Sequence, residues 1–203
     1  AILGDGGWGT TLGIMLSRKG FRVVLWSAFP DYCAYLDKKR MNTRFLPGFK
    51  IPRQIKITAD LKEAVNGKKI IVLAIPSEYI RGVLKRLKKI SRDRDTIYLS
   101  VTKGIETGSL KRISEVIRQE LGNIRLGVLS GPTIAHEIAA EKPATAVIAA
   151  ADSKLRDYLQ DIFITERMRI YTSSDVIGVE LGGSTSSVTA ATVRPEVRAK
   201  VRT

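Results

Sequence analysis

A glycine-rich turn near the start of the chain constrains the fold more than any other stretch. Gly4, Gly6 and Gly9 form a G-x-G-x-x-G pattern that follows the apolar residues 1–3 and leads into apolar residues at helical spacing. A second apolar run, residues 21–26, comes next. In this order of strand, turn, helix and strand, Gly4 permits a tight turn, Gly6 lets a pyrophosphate approach the backbone, and Gly9 allows close helix–strand packing. The pattern therefore predicts a dinucleotide site.

The composition is that of a folded chain with one large core. Of the 203 residues, 44% are hydrophobic and 27% are charged. No apolar run approaches the roughly 18 residues of a membrane helix, and the chain opens directly in a predicted strand at Ala1 without a signal-peptide pattern. The single cysteine, Cys33, excludes an internal disulfide and fits a reducing compartment, so we expect a cytoplasmic protein.

The net charge of +14 raises the question of a nucleic-acid partner. The basic residues are spread from Arg18 to Arg202, however, and aromatic residues make up only 6% of the chain. The densest basic cluster, between Arg81 and Arg94, lies along one predicted helix and its exit, which is typical of a solvated helix face. We expect no nucleic-acid partner, and a basic field that attracts a dinucleotide and a small phosphorylated substrate.

Beyond the turn, predicted strands and helices alternate as far as Tyr171. The predicted helices are 31–41, 60–67, 77–90 with Ser77 as its cap, 109–121, 133–140 and 153–163. The run 70–75 is short and continuously apolar, as expected of a strand that helices cover on both faces. This alternation predicts an α/β fold with a Rossmann-like, doubly wound, mostly parallel sheet.

Unusual residues gather where the predicted strands end. Ser27-Ala28, Pro76-Ser77, residues 102–104 and residues 130–133 each follow a strand, whereas the opposite ends carry ordinary charged turns. Ligands of such sheets bind beyond the carboxyl ends of the strands. One edge of the sheet is therefore the predicted site.

Taken together, these segments resemble the N-terminal domain of bacterial NAD(P)-dependent glycerol-3-phosphate dehydrogenase. The matching segments are residues 4–10, 42–48, 74–77, 102–106, 129–137 and 171–183. The resemblance implies hydride exchange between NAD or NADP and dihydroxyacetone phosphate, giving sn-glycerol 3-phosphate for phospholipid precursors. It also implies a homodimer for the full-length family.

Candidate site residues follow from the turn and from the resemblance. The turn predicts cofactor contacts at Gly4, Gly6 and Gly9, and Pro76 joins them from a strand end. The resemblance implies further cofactor contacts at Gly7, Trp8, Phe45, Lys103 and Ala135, and substrate contacts at Lys103, Gly131 and Thr133. Lys103 is the catalytic candidate, because a cation can stabilise a carbonyl oxygen that gains negative charge as hydride arrives. No metal site is expected.

Two departures from the family concern the cofactor. Asp5 stands where the family commonly has alanine, and we expect an acid beside a pyrophosphate to weaken binding slightly. Ala28 replaces a residue that is often basic in relatives, and no acid stands there to recognise a ribose. The choice between NAD and NADP is therefore open.

A third departure concerns proton transfer. After Gly183 the family continues with Ala-Leu-Lys-Asn-Val, whose lysine transfers the proton, whereas Ser186 occupies that lysine's place here. We expect a cofactor domain over residues 1–183 and an atypical tail over 184–203, where the family's all-helical C-terminal domain is absent. This chain would then bind cofactor without turnover. We hypothesise that the tail reflects a reading-frame error or a disrupted gene.

Three alternatives remain. The first is a non-catalytic dinucleotide-binding module, which the missing lysine favours. The second is another reductase, such as a hydroxyacid or ketopantoate reductase, against which residues 102–104 and 130–132 weigh. A basic nucleic-acid binder is the third, and salt-sensitive binding would distinguish it.

Overall fold

In the computed structural model, residues 1–90, 95–184 and 198–199 are described, and strands alternate with helices throughout them. The strands are β1 (Ile2–Leu3), β2 (Val24–Trp26), β3 (Lys56–Thr58), β4 (Ile70–Leu73), β5 (Ile97–Ser100), β6 (Arg125–Ser130), β7 (Ala144–Ala149), β8 (Met168–Ser173) and β9 (Arg198–Ala199). The helices are α1 (Gly7–Arg18), α2 (Pro30–Lys39), α3 (Leu61–Val65), α4 (Ser77–Lys88), α5 (Ile113–Leu121), α6 (Ala135–Ala139), α7 (Ser153–Phe163) and α8 (Val176–Ser184). None of these helices combines the length and apolar character needed to cross a bilayer.

The strands form one sheet in the order β3-β2-β1-β4-β5-β6-β7-β8-β9. Strands β3 to β6 pair in parallel, and β7 joins β6 in antiparallel orientation before pairing in parallel with β8. Ile2 lies opposite Leu25 on one side and Val72 on the other, so the strand order reverses at β1. The prediction of a doubly wound, mostly parallel sheet is confirmed.

The core lies in two layers, one on each face of the sheet. Side chains of successive strand residues point to opposite faces, so Leu25 and Val72 pack with α1, α2 and α7. Their neighbours Val24, Ile71 and Leu73 pack with α3, α4 and α5 on the other face. Burial on both faces explains why the strand sequences are continuously apolar rather than alternating.

The turn between β1 and α1 brings three backbone segments together. Gly4 has a φ of 120°, and a Cβ there would overlap the carbonyl oxygen of Ala74 at the end of β4. A Cβ on Gly9, in the first turn of α1, would overlap the carbonyl oxygen of Gly4 and lie 3.2 Å from the Cβ of Ala74. The helix can therefore lie this close to the strands only without side chains at both positions.

Two helices begin later in the chain than predicted. The helix predicted from residue 109 begins at Ile113, because Gly108 and Leu110 have positive φ values of 96° and 56° that interrupt a right-handed helix. The helix predicted from residue 133 begins at Ala135, because Thr133 is held in a turn by its bond to the Gly131 carbonyl.

The cap assigned to Ser77 was wrong. Pro76 is the N-cap and Ser77 the first residue of α4. Helix α8 ends at Ser184, one residue beyond the predicted domain border. Ser186 and most of the predicted tail lie outside the described residues, so the domain boundary stays a prediction.

The packing of α1 predicts opposite effects for the same substitution at two glycines. Gly9→Ala should lower the free energy of unfolding by about 3 kcal/mol, because the added methyl overlaps backbone. Gly13→Ala, one turn further along α1, meets Ile2 at 3.5 Å, an ordinary contact, and should leave stability unchanged or raise it by up to about 1 kcal/mol. Urea unfolding measures both, and equal effects would contradict the packing described above.

Candidate dinucleotide-binding site

A cavity of about 1400 Å³ opens at the carboxyl ends of β1, β2, β4 and β5. It lies where the strand order reverses, which is where ligands bind in open α/β sheets. Its volume exceeds the roughly 300–1000 Å³ of pockets for drug-sized ligands, as a dinucleotide requires. The lining residues that the sequence predicted are Gly4, Gly6, Gly7, Trp8, Gly9, Phe45, Pro76, Lys103, Thr133 and Ala135.

The N-terminus of α1 is open toward this cavity. Gly6 is its N-cap, no side chain caps it, and no acidic residue lies in its first turn. A Cβ on Gly6 would meet no protein atom within 4 Å, whereas one on Gly7 would lie 2.5 Å from the carbonyl oxygen of Phe45. A 12-residue helix that begins with uncapped amides beside open space is suited to hold a phosphate.

Asn42 fixes the glycine turn from a distant part of the chain. Its side chain is fully buried, and its amide nitrogen donates hydrogen bonds of 2.7 Å to the carbonyl oxygen of Asp5 and to Oγ1 of Thr10. Its amide oxygen accepts bonds from the Tyr32 hydroxyl at 2.7 Å and from the Phe45 backbone at 3.0 Å. One asparagine therefore joins the turn, α1, α2 and the loop that carries Phe45.

Aromatic rings form the wall of the cavity on the α2 side. Tyr32 and Tyr35 stack with ring centroids 5.7 Å apart, and Phe45 meets Tyr32 edge-on at 6.1 Å. The Arg44 guanidinium lies 5.0 Å from the centre of the Phe45 ring. Burial raises the pKa of the Tyr32 hydroxyl, so it stays protonated and donates to Asn42. This wall therefore presents flat apolar surfaces against which an aromatic ring of a ligand can stack.

The Asp5 side chain points toward the end of β2, whereas we expected an acid beside the pyrophosphate. Its Oδ2 accepts a 2.5 Å hydrogen bond from Oγ of Ser27, a fully buried residue directly after β2. That distance is typical of a hydroxyl donating to an ionised carboxylate, about 2.5–2.7 Å. The carboxylate is thus held at the end of β2, next to Ala28 on the cavity lining.

Lys103 reaches the cavity from the loop after β5. Thr102 attaches this loop to β4, because its hydroxyl bonds to the carbonyl oxygens of Leu73 at 3.1 Å and Ile75 at 2.8 Å. The Lys103 side chain is largely exposed, but its Nζ donates a 3.3 Å bond to the carbonyl oxygen of Thr133. Desolvation around the ammonium lowers the pKa of Lys103 below its ordinary value. The lysine and Thr133 therefore meet at one end of the cavity.

The structure brings together all of the predicted site residues except one. Gly131 is not part of the cavity lining and contributes its carbonyl oxygen, 2.8 Å from the backbone nitrogen of Thr133. Sequence reasoning missed the network of Asn42 and the contact between Asp5 and Ser27. The available signal for Asn42 was its place at the start of the matching segment 42–48, whereas nothing in the sequence indicates which way Asp5 points.

Comparison with known proteins decides the family. A family model described as the N-terminus of NAD-dependent glycerol-3-phosphate dehydrogenase matches residues 1–156. The chain belongs to the glycerol-3-phosphate dehydrogenase family. The resemblance noted in the sequence is thereby confirmed.

Named relatives and solved structures agree. Glycerol-3-phosphate dehydrogenase [NAD(P)+] of Fusobacterium nucleatum is 42% identical over 192 residues, which are 94% of this chain and 57% of the relative. The corresponding protein of Clostridium acetobutylicum is 41% identical over 189 residues, 93% of this chain and 57% of the relative. The crystal structure of the Coxiella burnetii glycerol-3-phosphate dehydrogenase has a TM-score of 0.85 at 37% identity and covers 90% of this chain.

The chain spans only part of its relatives. It covers 55% of the Coxiella burnetii chain and 57% of the two bacterial relatives above. More distant structures share the fold alone, among them a GDP-mannose dehydrogenase at 17% identity and a TM-score of 0.70. The fold and the family are therefore shown for the part of the relatives that this chain spans.

The burial of Asn42 predicts a large loss on truncation. Asn42→Ala removes four hydrogen bonds and leaves buried partners unsatisfied, so the free energy of unfolding should fall by about 3 kcal/mol. Thr43→Ala is the control, because Thr43 is exposed and bonds only to the Tyr35 hydroxyl among its described contacts. Its effect should stay within about 0.5 kcal/mol. Urea unfolding of both variants decides, and similar losses would contradict the role given to Asn42.

Proposed function

We propose that this chain binds a nicotinamide dinucleotide, NAD or NADP, in the cavity at the carboxyl ends of β1, β2, β4 and β5. The observation that carries the proposal is the uncapped N-terminus of α1 beside Gly6, which offers backbone amides and space to a pyrophosphate. Gly4 and Gly9 let the turn lie close to the end of β4, and Gly7 lets the Phe45 loop approach the start of α1. Trp8, Phe45, Pro76 and Ala135 supply the surrounding wall.

The reaction that we propose for the whole protein is the family's exchange between dihydroxyacetone phosphate and sn-glycerol 3-phosphate. A nicotinamide held in this cavity would supply the hydride chemistry that interconverts the carbonyl and the alcohol at the substrate's C2. Lys103 places an ammonium group where the carbonyl oxygen gains negative charge, since Thr102 and Thr133 hold the lysine at the cavity. Thr133 and the adjoining Gly131 are the proposed substrate contacts. The product would serve as a phospholipid precursor.

The proton for that oxygen requires a second group. Helix α8 is anchored by Glu180, which accepts bonds from the Arg112 guanidinium at 2.9 Å and from the Ser114 backbone at 2.8 Å. Gly183 at its end lies against Ser130, so the chain leaves α8 at the carboxyl edge of β6. In the sequence, three residues after Gly183, Ser186 occupies the position at which the family has its proton-transferring lysine. A neutral hydroxyl is a weak substitute, so we propose that this chain turns over slowly.

The same substitution favours a second candidate, a module that binds the dinucleotide without catalysis. A nucleic-acid role has less support, because Arg81, in the densest basic cluster, pairs with Glu106 at 2.7 Å and Glu120 at 2.6 Å. Arg92 and Arg94 of that cluster lie outside the described residues. We propose a cytoplasmic location because the single cysteine fits a reducing compartment. We propose a homodimer for the whole protein because the family resemblance implies one.

Binding should depend on the absence of a side chain at residue 6. Gly6→Val should fold normally, because a Cβ there meets no protein atom within 4 Å, yet lose NADH binding because the branched side chain fills the approach to the turn. Gly82→Val on α4 is the control, since Gly82 is equally unhindered and does not line the cavity. Calorimetric titration with NADH compares the variants, and equal affinity for Gly6→Val and the unaltered chain would refute the site.

Turnover of this chain should be low while binding is retained. Loss of a general acid–base group costs about a hundred- to ten-thousand-fold, so we expect less than about 0.1 s⁻¹ against the ~10 s⁻¹ typical of enzymes. Oxidation of NADH or NADPH with dihydroxyacetone phosphate measures it. NADH titration of the same preparation shows that the protein is folded. A turnover near ~10 s⁻¹ would contradict the importance given to Ser186.

A further inference from the structure

The end of β2 lacks the group that usually distinguishes the two dinucleotides. In dinucleotide-binding sheets an acid at this place accepts a hydrogen bond from the ribose 2′-hydroxyl of NAD, or an arginine accommodates the 2′-phosphate of NADP. Here the residues after β2 are Ser27 and Ala28, and neither carries a charge. Judged from β2 alone, the site does not discriminate.

A carboxylate nevertheless stands at this strand end, supplied by the glycine turn. Three hydrogen bonds hold Asp5: its Oδ2 accepts the 2.5 Å bond from the Ser27 hydroxyl, and its carbonyl oxygen accepts bonds from Asn42 at 2.7 Å and from the Thr10 hydroxyl at 3.3 Å. Ser27 and Asn42 are both fully buried, so neither donor can swing away readily. Asp5 remains partly exposed and lines the cavity. The carboxylate is therefore positioned before any ligand arrives.

We propose that Asp5 selects NAD over NADP, taking over the role that an acid after β2 has in other dinucleotide-binding domains. This inference rests on the proposed dinucleotide site. The second carboxylate oxygen can accept a hydrogen bond from a ribose 2′-hydroxyl. A 2′-phosphate carries about two negative charges and would be repelled by the carboxylate held there. Asp5 acts here as a specificity-determining residue, and Ser27 positions it.

Among the described contacts, no other charged residue of the cavity lining forms an ion pair with Asp5. The charged lining residues are Asp5, Asp31, Arg44 and Lys103. Lys103 extends from β5, at the opposite end of the cavity from β2. Arg44 is exposed, and its guanidinium lies over the Phe45 ring. The net charge of +14 attracts both dinucleotides through a field that salt screens, and this attraction acts without reference to the 2′ position.

The test is the ratio of NADH to NADPH affinity, measured by calorimetric titration of the 203-residue chain. The unaltered chain should bind NADH at least about tenfold more tightly, equivalent to about 1.4 kcal/mol. Asp5→Asn keeps the shape of the side chain and should reduce the ratio to about threefold or less, chiefly by strengthening NADPH binding. Ser27→Ala, which frees the carboxylate, should reduce it part of the way. Thermal unfolding of each variant confirms that it is folded.

Asp31→Asn is the matched control, because it removes the same unit of charge from the same cavity without a contact to Ser27. It should preserve most of the preference for NADH. Equal affinities for the two dinucleotides in the unaltered chain, tighter binding of NADPH, or an Asp31→Asn effect as large as that of Asp5→Asn would each overturn the inference while leaving the dinucleotide site intact. Failure to bind either dinucleotide would overturn the proposed function and this inference together.

Discussion

The close approach of α1 to the ends of β1 and β4 is the contact on which the site depends. It requires a bare backbone at Gly4 and Gly9, because a methyl at either position overlaps a carbonyl oxygen. This approach points the uncapped end of α1 at the place where the strand order reverses. The glycines therefore have two effects. They allow α1 to pack closely on the strand ends, and this packing directs the helix N-terminus toward the cavity.

A second layer of organisation comes from buried hydrogen bonds between distant parts of the chain. Asn42 lies 37 residues from Asp5 in sequence and holds its carbonyl oxygen, while Thr102 attaches the Lys103 loop to β4. Thr102 bonds to two backbone carbonyls, whereas Asn42 bonds to both backbone and side-chain atoms, and each holds its loop against the rest of the site. The loops that form the cavity are thus held by a few polar side chains together with buried apolar residues such as Leu46 and Ile75.

The sequence predicted the sheet and most of the cavity because those features follow from local patterns. Apolar runs at strand spacing and glycines at motif spacing carry their own geometry, so residues such as Gly6 and Lys103 lie at the expected edge. The start of α5 was wrong because Leu110 adopts a left-handed conformation that its side chain disfavours and that no local pattern signals. The direction of Asp5 depends on Ser27, 22 residues away, and therefore needs the folded chain.

The position of a charge in space, rather than in sequence, decides what such a site recognises. Asp5 follows β1 in the chain, yet its carboxylate is held at β2, while Lys103 follows β5. In the order β2-β1-β4-β5 these two charges stand three strand spacings apart, about 14 Å at roughly 4.8 Å each. The α1 N-terminus lies between them at β1. An anion, a cation and a helix N-terminus between them along one edge form a series of charges suited to the proposed ligand, with a neutral ribose at one end and a reacting carbonyl at the other.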